Sequence, residues 1–295
     1  MQWINHRGIH TQGLCTEPEG SLGSFQYSLD HGWGLEFDLQ MTSDQHFIVT
    51  HDTKLSTHTH TQKPLISDLT LDEIRMYDPQ ETRIPSLHEI LNRIQKSKPG
   101  IIHAFHWKGS FQKPDIISAF KNQYSSFKEG LKRCIIFDLK VDTAETLKNL
   151  DSSLKLAPSV SHPYDIKRFY KTTHETLMSL DEVSQTHTLW DWVWLDEWDL
   201  QSENNDSKTL INQKTCDWAR SHDFSIAAVS PELHATSSAL LGGEHHPDGL
   251  QPQLEDRLMQ IQSLSIDAIC SDYCCYYQNK NIHHPQQSRR RALHA

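Results

Sequence analysis

Gly34-Leu35-Glu36-Phe37-Asp38, with His51-Asp52 a short span downstream, is the stretch on which the reading of the whole chain turns. Glu36 and Asp38 are two apart, so on a strand both carboxylates leave the same face and can share one hard cation. Turn residues at 42–44 and the apolar run at 47–50 lead back to His51 within a span too short for a helical crossover plus a strand. Residues 47–51 are therefore expected to return as a hairpin arm, bringing His51 beside the carboxylates. His6-Arg7-Gly8 closes a short apolar run near the start of the chain. Two histidines and a carboxylate pair at strand ends suit acid/base chemistry at a metal-held phosphate.

Outward from that stretch, short apolar runs alternate with helical patterns. Strands are expected at 4–6, 34–38, 101–108, 134–140, 154–160, 192–196, 224–230 and 266–272, with a helix over 21–28 after the first. Thr70-Leu71-Asp72-Glu73 and Ser86-Leu87-His88-Glu89 read as capping boxes that open two more helices. Leu87, Ile90, Leu91 and Ile94 recur at helical spacing, and Pro99-Gly100 stops that run. Eight strands separated by helix-length spans imply parallel pairing and a closed (β/α)8 TIM barrel, with the hairpin arm after its second strand. Active residues then belong at the C-terminal strand ends, where His6, Asp38, Lys108, Asp196 and Asp272 fall. No pattern is legible at 109–131 or 235–262.

A chain of 295 residues can form one such barrel, and no linker, repeat or composition shift marks a boundary, so residues 1–278 are expected as a single domain and 279–295 as a polar tail. The net charge of -10 argues against a nucleic-acid partner. Residues 1–5 carry neither a basic n-region nor an apolar h-region, and no apolar run would span a bilayer. A cytoplasmic location without stable membrane insertion is expected, and the six scattered cysteines are expected as reduced thiols. Cys270, Cys274 and Cys275 lack a second pair at zinc-finger spacing, which favours a packing role.

The motifs together resemble the glycerophosphodiester phosphodiesterases, within the wider phospholipase-C-like phosphodiesterase barrels. The resemblance runs through His6-Arg7-Gly8, Pro18-Glu19-Gly20-Ser21-Leu22-Gly23-Ser24-Phe25, Glu36-x-Asp38, Thr42-Ser43-Asp44 and Val49-Thr50-His51-Asp52. It continues through Asp68-Leu69-Thr70 and Arg83-Ile84-Pro85-Ser86-Leu87-His88-Glu89-Ile90-Leu91, is dense over 4–108, and returns at Ser271-Asp272. It implies metal-dependent hydrolysis of a small glycerophosphodiester to glycerol 3-phosphate and an alcohol. By position, His6 and His51 become the acid/base pair, Glu36 and Asp38 metal ligands, and Arg7 and Lys108 phosphate contacts. A substrate hydroxyl next to the phosphate can be the first nucleophile and form a cyclic phosphate, which water can then open.

Two departures stand out. Gly20 occupies a position where the family usually has Asn, and His106 stands where it has a metal-binding Glu. Oxygen ligands suit Mg²⁺ or Ca²⁺, whereas an imidazole at 106 suits Mn²⁺ or Zn²⁺. His106 is therefore carried as a third candidate ligand, against a cation held by Glu36 and Asp38 with waters and substrate, the arrangement favoured here, or a lost metal site. Asp196 and Glu232 are candidate substrate contacts, Asp138 and Lys140 are read as a mutual pair, and the tryptophans at 190, 192, 194 and 198 as packing residues. Alternative functions are cleavage of a lipid head group, or phosphodiester binding by a catalytically weak barrel.

Overall fold

The computed structural model describes residues 1–9, 17–55, 64–77, 84–198, 200, 208–233 and 252–277. Cys15, Arg83 and the 279–295 tail lie outside them. Successive apolar runs form β1 (Gln2–His6), β2 (Gly34–Met41), β3 (Phe47–Val49), β4 (His103–His106), β5 (Cys134–Phe137), β6 (Lys155–Ala157), β7 (Ser159–Val160), β8 (Leu177–Met178), β9 (Trp192–Leu195), β10 (Ser225–Val229) and β11 (Ala268–Ser271). Parallel pairing runs β6-β5-β4-β2-β1-β11-β10-β9-β7.

The ring closes at Pro158, which separates β6 from β7. A proline has no N–H to donate to a ladder, yet its carbonyl accepts from Trp194 N at 3.1 Å, and β7 continues onto β9 with Ser159 opposite Trp194. The two short strands thus occupy one staving position, and the barrel has the eight positions expected of a (β/α)8 fold. The hairpin arm is also present: β3 lies antiparallel on β2, with Leu39 opposite Val49 and Met41 opposite Phe47. An unforeseen addition is β8, which pairs with β7 as a parallel strand outside the ring.

Side-chain alternation divides the barrel into two apolar layers. Ile4, Ala104, Ile135, Ala157, Trp192, Ala227 and Ala268 fill its interior. The outward residues, among them Leu35, Phe37, Phe105 and Ile136, pack against the surrounding helices. Phe105 is fully buried and stacks on Phe37 at 5.6 Å. Gly34 opens β2 for a steric reason, since a Cβ there would stand 2.1 Å from the Ile102 carbonyl oxygen.

Both capping boxes form. Ser86 Oγ accepts from Glu89 N at 3.2 Å while Glu89 Oε2 accepts from Ser86 N at 2.8 Å, opening α3 (Leu87–Lys96) after α1 (Leu22–Asp30) and α2 (Leu71–Tyr77). Thr70 and Glu73 do the same for α2. The unread stretch at 109–131 holds α4 (Pro114–Gln123) and α5 (Lys128–Leu131), and α10 (Pro252–Ser263) covers part of 235–262; the four helices between are α6 (Val141–Leu150), α7 (Pro163–Phe169), α8 (Leu180–Gln185) and α9 (Gln213–Ser221). The described cysteines are free, four of them buried. No helix among the described residues is long and apolar enough to cross a membrane.

Candidate active site

The C-terminal strand ends surround a cavity of about 420 Å³, walled by His6, Arg7, Glu36, His51, His106 and Lys108. Each side chain arrives there by the register of its strand. His6 ends β1 opposite Glu36, and Asp38 lies opposite His106 on β4. Arg7 follows in a left-handed conformation with φ 50°, and Gly8 continues it with φ 68°. A Cβ on Gly8 would meet Ser24 Oγ at 2.7 Å, so this turn is built for glycine. It re-aims Arg7 into the mouth, where its Nε stands 3.3 Å from Asp38.

The two carboxylates of β2 are only 3 % and 2 % exposed, yet they differ electrostatically. Burial and the neighbouring charge of Asp38 push the Glu36 pKa up. For Asp38, burial is outweighed by the His106 hydrogen bond and the Lys108 and Arg7 charges, which hold its carboxyl well below the usual range. Lys108 Nζ lies 3.3 Å from Asp38 and donates to the His51 carbonyl at 3.1 Å, tying the hairpin arm to β4.

The two histidines expected to act as a pair have unlike settings. His6 is buried and donates from Nδ1 to Asp272 at 2.8 Å, leaving Nε2 3.9 Å from Glu36. Burial lowers its pKa, but Asp272 and Glu36 more than compensate, so the net shift is upward. His51 is partly exposed and donates from Nδ1 to Asp52 at 3.1 Å. Burial, Arg7 and Lys108 lower its pKa against the pull of Asp38.

His106 is clamped between carboxylates, with Nδ1 2.8 Å from Asp38 and Nε2 3.2 Å from Asp138. Both nitrogens donate, which requires an imidazolium. Burial opposes that charge, but the two hydrogen bonds outweigh it and raise the pKa to about 10. The ring also stacks on Phe137 at 4.7 Å, and Phe137 on Trp194 at 3.9 Å.

Asp138 therefore pairs with His106 and not with Lys140, whose backbone N–H donates to Gln112. It sits at φ 67°, a conformation uncommon outside glycine, and Gln112 holds its carbonyl. Its position at the end of β5 was the available signal; its partner lies on the neighbouring strand and could not be read. Asp272 likewise finds His6 across 266 residues of chain.

Asp196 lines the cavity beside Trp194 and Trp198, and Trp198 stacks on Phe169 at 4.1 Å. Trp190 packs in the outer layer against the helices and Trp192 in the barrel interior. Glu232 is placed differently: only 1 % exposed, it lies behind the wall and is bonded to Ser230, Ser271 and the Asp272 backbone. Thr172, Thr173 and His174, on the segment after α7, cover one side of the mouth.

Glu36, Asp38 and His106 offer ligand atoms within 4.8 Å of one another. Glu36 Oε2 and Asp38 Oδ2 are buried and make no hydrogen bond, although Arg7 Nε stands 3.3 Å from the latter. Two such oxygens on one strand face fit a hard cation, which would satisfy them.

A family model, that of the glycerophosphoryl diester phosphodiesterase family, matches residues 6–183. A glycerophosphodiester phosphodiesterase of Bacillus altitudinis is 28% identical over 175 residues, 51% of this chain and 71% of that protein. One from Caldanaerobacter subterraneus subsp. tengcongensis is 31% identical over 100 residues, 31% of this chain and 39% of that protein. Among solved structures, a Galdieria sulphuraria protein described as a putative glycerophosphodiester phosphodiesterase aligns over 95% of this chain and 96% of its own, with TM-score 0.63 and 18% identity. An Oleispira antarctica phosphodiesterase in complex with the product sn-glycerol-3-phosphate aligns over 96% and 97%, with TM-score 0.59 and 17% identity.

Proposed function

This chain belongs to the glycerophosphoryl diester phosphodiesterase family and is a phosphoric diester hydrolase; we propose that it cleaves a small glycerophosphodiester to glycerol 3-phosphate and an alcohol by His6/His51 acid/base catalysis. The observation that carries this reading is the convergence of His6, His51, Arg7, Lys108 and the Glu36/Asp38 pair on one cavity. The product named for the Oleispira antarctica phosphodiesterase supports glycerol 3-phosphate as one half of the substrate.

In this reading His51 is the base. Its lowered pKa leaves the ring neutral near pH 7, so it takes a proton from the attacking hydroxyl, either of the glycerol or of water. His6 is the acid: Asp272 holds Nδ1–H and stabilises the imidazolium, and Nε2 delivers its proton to the departing alkoxide oxygen. If a cyclic phosphate forms first, the two rings exchange roles for its opening. Arg7 and Lys108 offset the charge on the phosphoryl oxygens. Glu36 and Asp38 would hold a divalent cation, Mg²⁺ or Ca²⁺ by their oxygen chemistry, and the cation supplies Lewis-acid stabilisation of that same charge. His106 could join as a ligand only by losing a ring proton and with it one of its bonds to Asp38 and Asp138.

Release of glycerol 3-phosphate from a panel of glycerophosphodiesters, after chelation and then with Mg²⁺, Ca²⁺, Mn²⁺ or Zn²⁺ restored, tests the reading beside a His6→Ala control. Metal-restored release that the control lacks is the expected result. No release with any metal would overturn it and leave a barrel that only binds phosphodiesters.

A further inference from the structure

Glu232 occupies an unfavourable place for a carboxylate. It is 1 % exposed, outside the cavity wall, and stands near a second acid, Asp272. Burial and the Asp272 charge push its pKa up to about 7. A buried carboxylate is costly unless its oxygens are satisfied, so an apolar residue of similar size would be easier to accommodate here. Its hydrogen bonds show what it holds. Oε1 accepts from Ser271 Oγ at 2.5 Å and from Asp272 N at 3.2 Å, while Oε2 takes the Ser230 hydroxyl.

Those three donors sit at the ends of β10 and β11, which are already linked by Ser230 N to the Cys270 carbonyl at 2.9 Å. Glu232 therefore ties both strand ends around the peptide that carries Asp272. Asp272 spends one oxygen on His6 Nδ1 at 2.8 Å, and that bond decides the tautomer of His6 and directs Nε2 toward Glu36 and the cavity. We propose that Glu232 is a positioning residue for His6, acting through the Ser271 hydroxyl and the Asp272 amide to fix the Asp272 carboxylate against the ring. The inference rests on the reading of His6 as an acid/base group, and it assigns Glu232 a part that involves no contact with substrate.

The test compares Glu232→Gln, which keeps an Oε1 acceptor for Ser271 and Asp272, with Glu232→Met, which fills the space without one. Ser271→Ala removes one of the three Glu232 ties, together with the acceptor that Ser271 Oγ offers Tyr273 N at 3.0 Å, and serves if Glu232→Met fails to fold. Each is measured for kcat and KM on a glycerophosphodiester, for Tm, and for the low-field His6 Nδ1–H proton resonance, assigned by its loss in His6→Ala. Glu232→Met is expected to lose roughly tenfold or more in kcat with KM changed by less than about twofold, and to broaden the resonance. Glu232→Gln should retain both, and Ser271→Ala should fall between.

Folded Glu232→Met and Ser271→Ala with wild-type kcat and an unchanged resonance would overturn the inference, as would an effect on KM alone. If His6→Ala turned over like the wild type, the acid/base reading would fail instead. The resonance would then still report whether Glu232 orders the Asp272–His6 bond, since it needs no substrate.

Discussion

His103 and His106 stand three residues apart on β4 and are held in opposite charge states. His103 is fully buried on the outward face, where its Nδ1 accepts from the Leu35 backbone N–H at 3.2 Å. Burial and the Arg133 charge lower its pKa to about 3. His106, on the inward face at the C-terminal end, is raised to about 10, since its bonds to Asp138 and Asp38 outweigh burial. One strand thus presents a neutral, structural imidazole at the floor of the barrel and a cationic one at its mouth. The residue type does not set the role; the direction of the side chain and its neighbours on adjacent strands do. Damage at the mouth should therefore appear as lost chemistry, and damage at the floor as lost stability.

The largest expected effect lies at the mouth. His51→Ala should reduce turnover by roughly 10²–10⁴-fold, the usual worth of an acid/base group, with Tm close to wild type because the ring is partly exposed. Steady-state kinetics with a thermal melt check both halves. Unchanged activity would remove His51 from the mechanism.

At the floor, the folded pKa of His103 lies below its ordinary 6.5, so its contribution to stability is present above pH 6.5 and lost as pH falls toward about 3. That amounts to about 1.4 kcal/mol per pH unit within the window. Asn at 103 can offer an acceptor to Leu35 N–H without titrating. Urea unfolding at pH 7.5 and 5 should show His103→Asn losing about 2 kcal/mol less than the wild type. His106 has the opposite sign: its folded pKa is raised, so its contribution is present below pH 6.5 and lost as pH rises toward about 10.

The comparison sharpens at His106→Glu, which replaces the cation of the clamp with a fourth carboxylate beside Glu36, Asp38 and Asp138. Without metal the variant should melt lower than the wild type. Mg²⁺ or Ca²⁺ at about 100 times its Kd should restore about 2.7 kcal/mol and keep or raise activity. A folded, metal-saturated variant with no turnover would show that the imidazole itself is required. The smallest effect belongs to Ser86→Ala, away from both histidines, which removes the α3 cap at a cost of about 1 kcal/mol and leaves kcat unchanged.

Much of the barrel could be read locally. The capping boxes at Thr70 and Ser86, the return of the chain after 47 as a hairpin arm, and the same-face placement of Glu36 and Asp38 follow from spacing alone, whereas the pairing of 39–41 with 47–49 does not. α4 does carry a local signal, Pro114 at its start and then buried Ile116, Ala119 and Phe120 at helical intervals. β8 had none, since two residues that pair outside the ring leave no periodicity.

What the sequence by itself determined is the order of the eight barrel strands and the early helices α1 to α3, and which types of side chain stand at the C-terminal strand ends, because both depend on neighbours within a few residues. The partners of those side chains were decided only by tertiary structure. Asp138 could have met Lys140 but meets His106 on the adjacent strand, and Asp272 reaches His6 from the far end of the chain. Charge states follow from such pairings, through fields and hydrogen bonds that depend on distance in space. Only closure of the barrel therefore made His106 a cation, kept His103 neutral and placed Glu232 behind the wall instead of in it.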